Sequence, residues 1–203
     1  MKKILCFGDS NTFGFNPENG TRYNESQRWS GILKNEIKNC EIKEEGLNNR
    51  TCFSSPENKL NTIKTIEKYL DANYDLIIFQ IGINDLQFIY NTKIQTLEEK
   101  LIDLAGIVLT KSPNTKMLFL CPNIISENIL NSYFNCLFNE ESIKKSTFLR
   151  DIFILLQNKT KADVIFLEYI AKTSAIDGLH FDSENHKIIA DVLKKYCLEK
   201  LFK

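Results

Sequence analysis

The segment Phe7-Gly8-Asp9-Ser10-Asn11 closes the apolar run Ile4-Leu5-Cys6-Phe7, so a short buried strand ends by presenting a serine hydroxyl. Serine becomes a nucleophile when a base takes its proton, a third group orients that base, and N–H donors meet the oxyanion that forms. The chain offers each of these elsewhere. Asp177 and His180 are three residues apart on a loop containing Gly178. That spacing lets the carboxylate hold one ring nitrogen while the other faces outward, fixing the tautomer and stabilising the imidazolium. Asn84, just after Gly82, offers a side-chain amide. Asn48 and Asn49, just after Gly46, offer backbone N–H groups, and the turn around Ser10 adds its own.

Taken singly, these are weak signals. Serines cap helices, an isolated Asp-x-x-His is more often a turn beside a packed histidine, and loop asparagines are turn residues. Their placement in the chain carries the argument. Short apolar runs predict strands at Lys3–Gly8, Glu41–Glu45, Tyr74–Gly82, Lys116–Cys121 and Ala162–Leu167. Leu76-Ile77-Ile78-Phe79 and Met117-Leu118-Phe119-Leu120 are apolar at every position, as in strands covered on both faces. Helical periodicity falls between them at about Arg28–Asn39, Lys59–Asp71, Lys93–Lys111 and Glu140–Lys159. A last helix over Ser183–Leu201, capped by Asp182 or Ser183, places Ile188, Ile189, Val192, Leu193, Tyr196 and Cys197 on one stripe. This β-α alternation predicts an α/β fold, a three-layer α/β/α arrangement around a five-stranded parallel sheet in one domain spanning residues 1–203. On that layout all four polar blocks fall on one sheet edge, where open α/β sheets bind ligands.

Lys+Arg and Asp+Glu balance at 26 each, which removes the basic field that nucleic acid or an anionic membrane surface would need. No stretch reaches the roughly 18 apolar residues of a membrane span. Met1-Lys2-Lys3 precedes only four apolar residues, too few for a signal-peptide core, so a soluble cytoplasmic chain is expected. Six scattered cysteines without a Cys-x-x-Cys pair read as reduced thiols, and with two histidines they support neither a metal site nor a cofactor. The expected partner is a small molecule, with a homo-oligomer left open.

With these residues in view, the chain resembles the SGNH hydrolases of the GDSL esterase/lipase family. The blocks are Gly8-Asp9-Ser10-Asn11, Gly82-Ile83-Asn84-Asp85 and Asp177-Gly178-Leu179-His180-Phe181. It is most similar to the bacterial arylesterase/acyltransferase branch, through Arg28-Trp29-Ser30-Gly31 and Glu44-Glu45-Gly46-Leu47 running to Arg50-Thr51. The resemblance implies a flavodoxin-like SGNH fold and a serine esterase that forms an acyl-enzyme on Ser10, with His180 as base and Asp177 as its orienting acid. It implies an oxyanion hole made by the Ser10 amide, the Asn49 amide and the Asn84 side chain. Asn49 stands where the family usually has glycine, and Ile83 where it usually has threonine.

Several readings stay open on the sequence. The same three residues serve an acyltransferase or a carbohydrate acetyl esterase. Cys52, on a strand-end loop, is an alternative nucleophile, and a flavodoxin-like binding module with Asp9 as phosphoacceptor is the non-enzyme alternative. Asp9 is expected to serve the strand-to-helix junction, and Arg50 to meet either a substrate group or a loop carboxylate. Trp29, Phe13, Phe15, Phe88, Tyr133 and Phe134 are candidates for a pocket wall, the segment Pro122–Asn139 for a substrate-side loop, and His186 for a solvated helix position.

Overall fold

The computed structural model describes residues 1–202. Its sheet has the order β2-β1-β3-β4-β5, with every neighbouring pair parallel. The strands are β1 (Lys2–Gly8), β2 (Cys40–Gly46), β3 (Leu76–Gln80), β4 (Lys116–Cys121) and β5 (Asp163–Phe166). The helices are α1 (Ser10–Phe13), α2 (Trp29–Glu36), α3 (Thr62–Thr65), α4 (Glu67–Leu70), α5 (Ile94–Lys111), α6 (Glu140–Ser146), α7 (Leu149–Lys159) and α8 (Ser183–Leu201).

The continuous apolar runs follow from a sheet covered on both sides. Leu5, Phe7, Ile77, Phe79, Met117 and Phe119 pack on one face with Leu97, Leu101 and Leu104 of α5 and Phe153 and Leu156 of α7. The alternate residues Ile4, Cys6, Leu76, Ile78, Leu118 and Leu120 meet Trp29 and Leu33 of α2 and Ile189, Leu193 and Cys197 of α8 on the other. Because side chains alternate across a strand, an unbroken apolar run feeds two cores at once. Among the described residues no helix is long and apolar enough to cross a membrane.

Two predicted helices are interrupted by side chains that bond to nearby backbone, a competition that Ser, Thr and Asn are suited to win. The span Lys59–Asp71 breaks into α3 and α4. Asn61 donates to Phe53 O and to Ser55 O (3.1 Å) and caps α3 at Lys64 N, which starts the helix at Thr62, and at the break the Thr65 hydroxyl donates to Asn61 O at 2.9 Å. The span Glu140–Lys159 breaks into α6 and α7 at Ser146–Phe148, where the Ser146 and Thr147 hydroxyls donate to the carbonyls of Ile143 and Lys144. β3 is shorter than predicted because Gly82 turns away with φ 112°. The cap of α8 is Asp182, which accepts from Asn185 N.

Strand order reverses at β1, whose neighbours are β2 on one side and β3 on the other. The crevice outside the carboxyl ends at such a reversal is where doubly wound sheets bind ligands. Ser10, the Asn48–Asn49 turn and Asn84 all leave from that point.

Candidate active site

Asp9 ends β1 in extended conformation and caps α1, accepting from Asn11 N at 2.9 Å, so Ser10 is the first residue of a one-turn helix. This turn rests directly on the end of β2: a Cβ on Gly46 would lie 2.1 Å from Phe13 N. The serine is thus held between strand, helix and a neighbouring strand end, and its side chain has little room to wander.

The base arrives from far along the chain. Asp177 Oδ1 accepts from Leu179 N and His180 N, both at 2.9 Å, closing a tight loop around its own carboxylate. Oδ2 lies 2.7 Å from His180 Nδ1, and Nε2 lies 2.8 Å from Ser10 Oγ. Carboxylate, imidazole and hydroxyl are all buried. Burial pushes the Asp177 carboxyl up, but the His180 ring N–H, its charge and the two backbone donors outweigh this and hold it below the usual carboxylate range. An ionised Asp177 requires a proton on Nδ1, which leaves the Nε2 lone pair facing the serine.

Asn11 was not singled out by its sequence context, yet it joins the two halves. Its side chain donates to Leu179 O and accepts from Phe181 N, both at 3.2 Å, bracketing His180. The signal was its place beside the serine; its partners lie 168 and 170 residues away and leave no local trace.

Three N–H groups border a cavity of about 120 Å³. The Ser10 and Asn49 amides have no acceptor among the described residues. Asn49 has φ 62°, the left-handed region that glycine favours and asparagine tolerates, so the departure from the family's glycine preserves the turn. Asn84 Oδ1 accepts from Gln87 and Nδ2 donates to Arg50 O at 3.1 Å, which sets the orientation of the amide. Asp85 is a second residue the sequence reading passed over. Its buried carboxylate accepts from Cys52 N (2.6 Å), Phe53 N and Ser54 N (both 3.0 Å) and the Ser54 hydroxyl (2.8 Å), fixing the chain just beyond the Asn49 turn. Ile83 packs in the core.

The apolar side of the cavity is Phe15, Phe134, Phe138 and Leu179. Of the aromatic candidates, Phe15 and Phe134 are there, packed on the His180 ring with centroids 4.4 and 5.0 Å away. Trp29 is instead core, its indole N–H donating to Asn11 O and Gln80 Oε1. Phe13 lies under the Arg22 guanidinium, and Phe88 and Tyr133 are exposed away from the cavity. The segment Pro122–Asn139 supplies Phe134 and Phe138, and it abuts the histidine loop where Ser126 N donates to Gly178 O. Gly178 has φ 68°, and a Cβ there would approach Ser126 Cβ to 2.8 Å.

Other expectations are corrected. Cys52 is completely buried and burial raises its thiol well above the ordinary range, which removes the thiolate that a nucleophile needs. Arg50 is not among the residues that line the cavity and makes no ion pair among the described residues; it is buried and donates to backbone carbonyls. His186 is not solvated but wholly buried, accepting from Trp29 N at 3.4 Å and packed by Tyr23 and Phe181. It lies on the stripe Ile189, Ala190, Leu193 and Cys197, while Ile188 faces outward, so the buried face of α8 is rotated from the predicted one. The blocks around Arg28 and Glu44 also prove architectural: Arg28 pairs with Glu44 through Nε (2.6 Å) and Nη2 (2.8 Å), and Ser30 donates to the same carboxylate.

Comparison with known proteins places this geometry. The model of the GDSL-like lipase/acylhydrolase family matches residues 4–193. A search of curated proteins finds no match. Among solved structures, the inhibitor-bound aryl esterase of M. smegmatis is similar with a TM-score of 0.89 at 26% identity, over 99% of this chain and 100% of that one. A carbohydrate acetylesterase from Sinorhizobium meliloti is similar with a TM-score of 0.89 at 25% identity, over 98% and 99% of the two chains. The family match runs from β1 well into α8 and takes in every strand end that borders the cavity, and the chain therefore belongs to the GDSL-like lipase/acylhydrolase family and is a carboxylic ester hydrolase.

Proposed function

We propose that Ser10 is the nucleophile of this esterase, His180 its general base and Asp177 the acid that orients the base. The observation that carries the reading is the continuous line from Asp177 through both nitrogens of one imidazole to the Ser10 hydroxyl, at 2.7 and 2.8 Å. Ser10 Oγ attacks the ester carbonyl as its proton passes to His180 Nε2, and the oxyanion is met by the Ser10 amide, the Asn49 amide and Asn84 Nδ2. Collapse expels the alcohol, which takes the proton back from His180. Water then enters by the same route, with His180 again as base, and releases the acid.

The substrate is an ester with a short acyl group, acetyl above all. Its support is the cavity: about 120 Å³ is somewhat less than the ~150 Å³ that admits a benzene ring. Phe134 and Phe138 form part of its apolar wall. An acetylated carbohydrate and an aryl acetate both satisfy this limit, and the two similar enzymes are an aryl esterase and a carbohydrate acetylesterase.

The test is hydrolysis of p-nitrophenyl acetate, p-nitrophenyl octanoate and a peracetylated sugar by wild type, Ser10→Ala and Cys52→Ala. Ser10→Ala is expected to lose at least about a thousandfold in kcat, Cys52→Ala to keep its rate, and octanoate to react far more slowly than acetate. Wild-type turnover by purified Ser10→Ala ends the proposal.

A further inference from the structure

Three N–H donors face the cavity from three strand ends, and an oxyanion gains from them only when all three converge on one point. Arg50 is bonded to each of the three segments. Its Nη1 donates to Gly8 O at 2.9 Å, two residues ahead of Ser10, and to Glu45 O near the end of β2. Its backbone follows Asn49 directly, and Arg50 N donates to Leu47 O at 3.1 Å, closing the turn that presents the Asn49 amide. Its carbonyl accepts from Asn84 Nδ2 at 3.1 Å.

The setting is an unusual one for a cation. Arg50 is 4% exposed and its guanidinium lies 4.0 Å from the centroid of the Phe7 ring. Among the described residues no side-chain carboxylate accepts from it, Nε has no partner, and Asp9 Oδ2 is also unpaired. A buried, incompletely partnered charge costs stability, and an apolar side chain of similar length would fill the space more cheaply. The guanidinium is instead a rigid planar fork, one nitrogen of which, Nη1, donates to carbonyls on two adjacent strands.

We infer that Arg50 is the positioning residue of the oxyanion hole, fixing the mutual geometry of the Ser10, Asn49 and Asn84 donors without itself touching the substrate. The inference rests on the reading of those three groups as the oxyanion-binding set. It accounts for a buried arginine on a strand-end loop that neither the substrate nor any carboxylate explains.

The experiment compares Arg50→Met and Arg50→Lys with wild type, Asn84→Ala and Ser10→Ala. It measures kcat and KM on p-nitrophenyl acetate and the Ki of an alkylboronic acid, which forms a tetrahedral adduct on the serine. Circular dichroism establishes the folded fraction to which each rate is referred. Arg50→Met is expected to lose about a hundredfold or more in kcat and to bind the boronate more weakly by a similar factor. Its KM should stay within about threefold of wild type. Arg50→Lys keeps the charge but not the fork and should lose about tenfold. If Arg50→Met does not fold, Arg50→Lys decides. A folded variant with kcat within about threefold of wild type, or a kcat loss without a matching loss of boronate affinity, overturns the inference. An active Ser10→Ala would instead remove the underlying reading. An inactive Ser10→Ala and a crippled Asn84→Ala beside a fully active Arg50→Lys would leave that reading standing and defeat this inference alone.

Discussion

The chain has two histidines, six residues apart, and both are buried against aromatic rings. His180 is 1% exposed and packs on Phe15 and Phe134; His186 is not exposed at all and packs on Tyr23 and Phe181. Their ring nitrogens have opposite fates. Both nitrogens of His180 have a partner: Nδ1 donates to the Asp177 carboxylate and Nε2 accepts from the Ser10 hydroxyl. His186 accepts one long hydrogen bond from Trp29 N, its Nε2 has no partner, and burial lowers its pKa to about 3. Burial and aromatic neighbours are therefore common to both. A carboxylate within hydrogen-bond reach and a cavity on the other side separate the chemical histidine from the structural one.

The largest expected effect is at the first of the pair. His180→Ala should lower kcat by about a thousandfold or more while the protein stays folded. A folded His180→Ala variant that keeps the wild-type rate would put the base elsewhere.

Next in size is the link between the histidine loop and the serine turn. Asn11→Ala removes both side-chain bonds that bracket His180 and should cost about ten- to a hundredfold in kcat with little change in KM. A wild-type rate would show that the Asp177 loop holds the ring without help.

The smallest effect on activity is expected at His186. His186→Asn keeps an acceptor for Trp29 N and should retain a rate within about threefold of wild type. Its mark is on stability. A histidine whose folded pKa is depressed to about 3 from 6.5 contributes stability that is complete above the unfolded value. That contribution is lost as pH falls through the window between the two, because only the unfolded chain readily takes up the proton. The melting temperature of wild type should therefore drop more steeply than that of His186→Asn between about pH 6.5 and pH 4. Parallel curves would show that the folded state accommodates the charge.

The same contrast explains what was legible in the sequence. Asp177 and His180 were readable because a three-residue spacing on one loop is a local pattern, and Ser10 because an apolar strand stops at it. Asn49 was readable as a turn residue after β2, and its left-handed φ shows why asparagine can stand there. The strands were legible because a sheet covered twice writes unbroken apolar runs. His186 was misread through a stripe rotated about the axis of α8, although its spacing from Ile189 and Ala190 placed it on their face. The breaks in the helices after residues 65 and 146 were hidden because they depend on hydroxyls bonding back to helix carbonyls, which apolar periodicity does not register. Arg50 and Asn11 illustrate the same limit: each bonds to residues more than forty positions away, and nothing beside them in the chain announces it.

The distance between Ser10 and His180 along the chain, 170 residues, has a consequence for synthesis. Ser10 leaves the ribosome on the strand around which the sheet is laid down. His180 follows only after the intervening residues have been made, at several residues per second. Throughout that interval the serine is an ordinary hydroxyl, with no imidazole to take its proton. A nascent or truncated chain that stops short of the Asp177 loop is thus chemically silent toward esters, and the onset of hydrolysis reports completion of the fold.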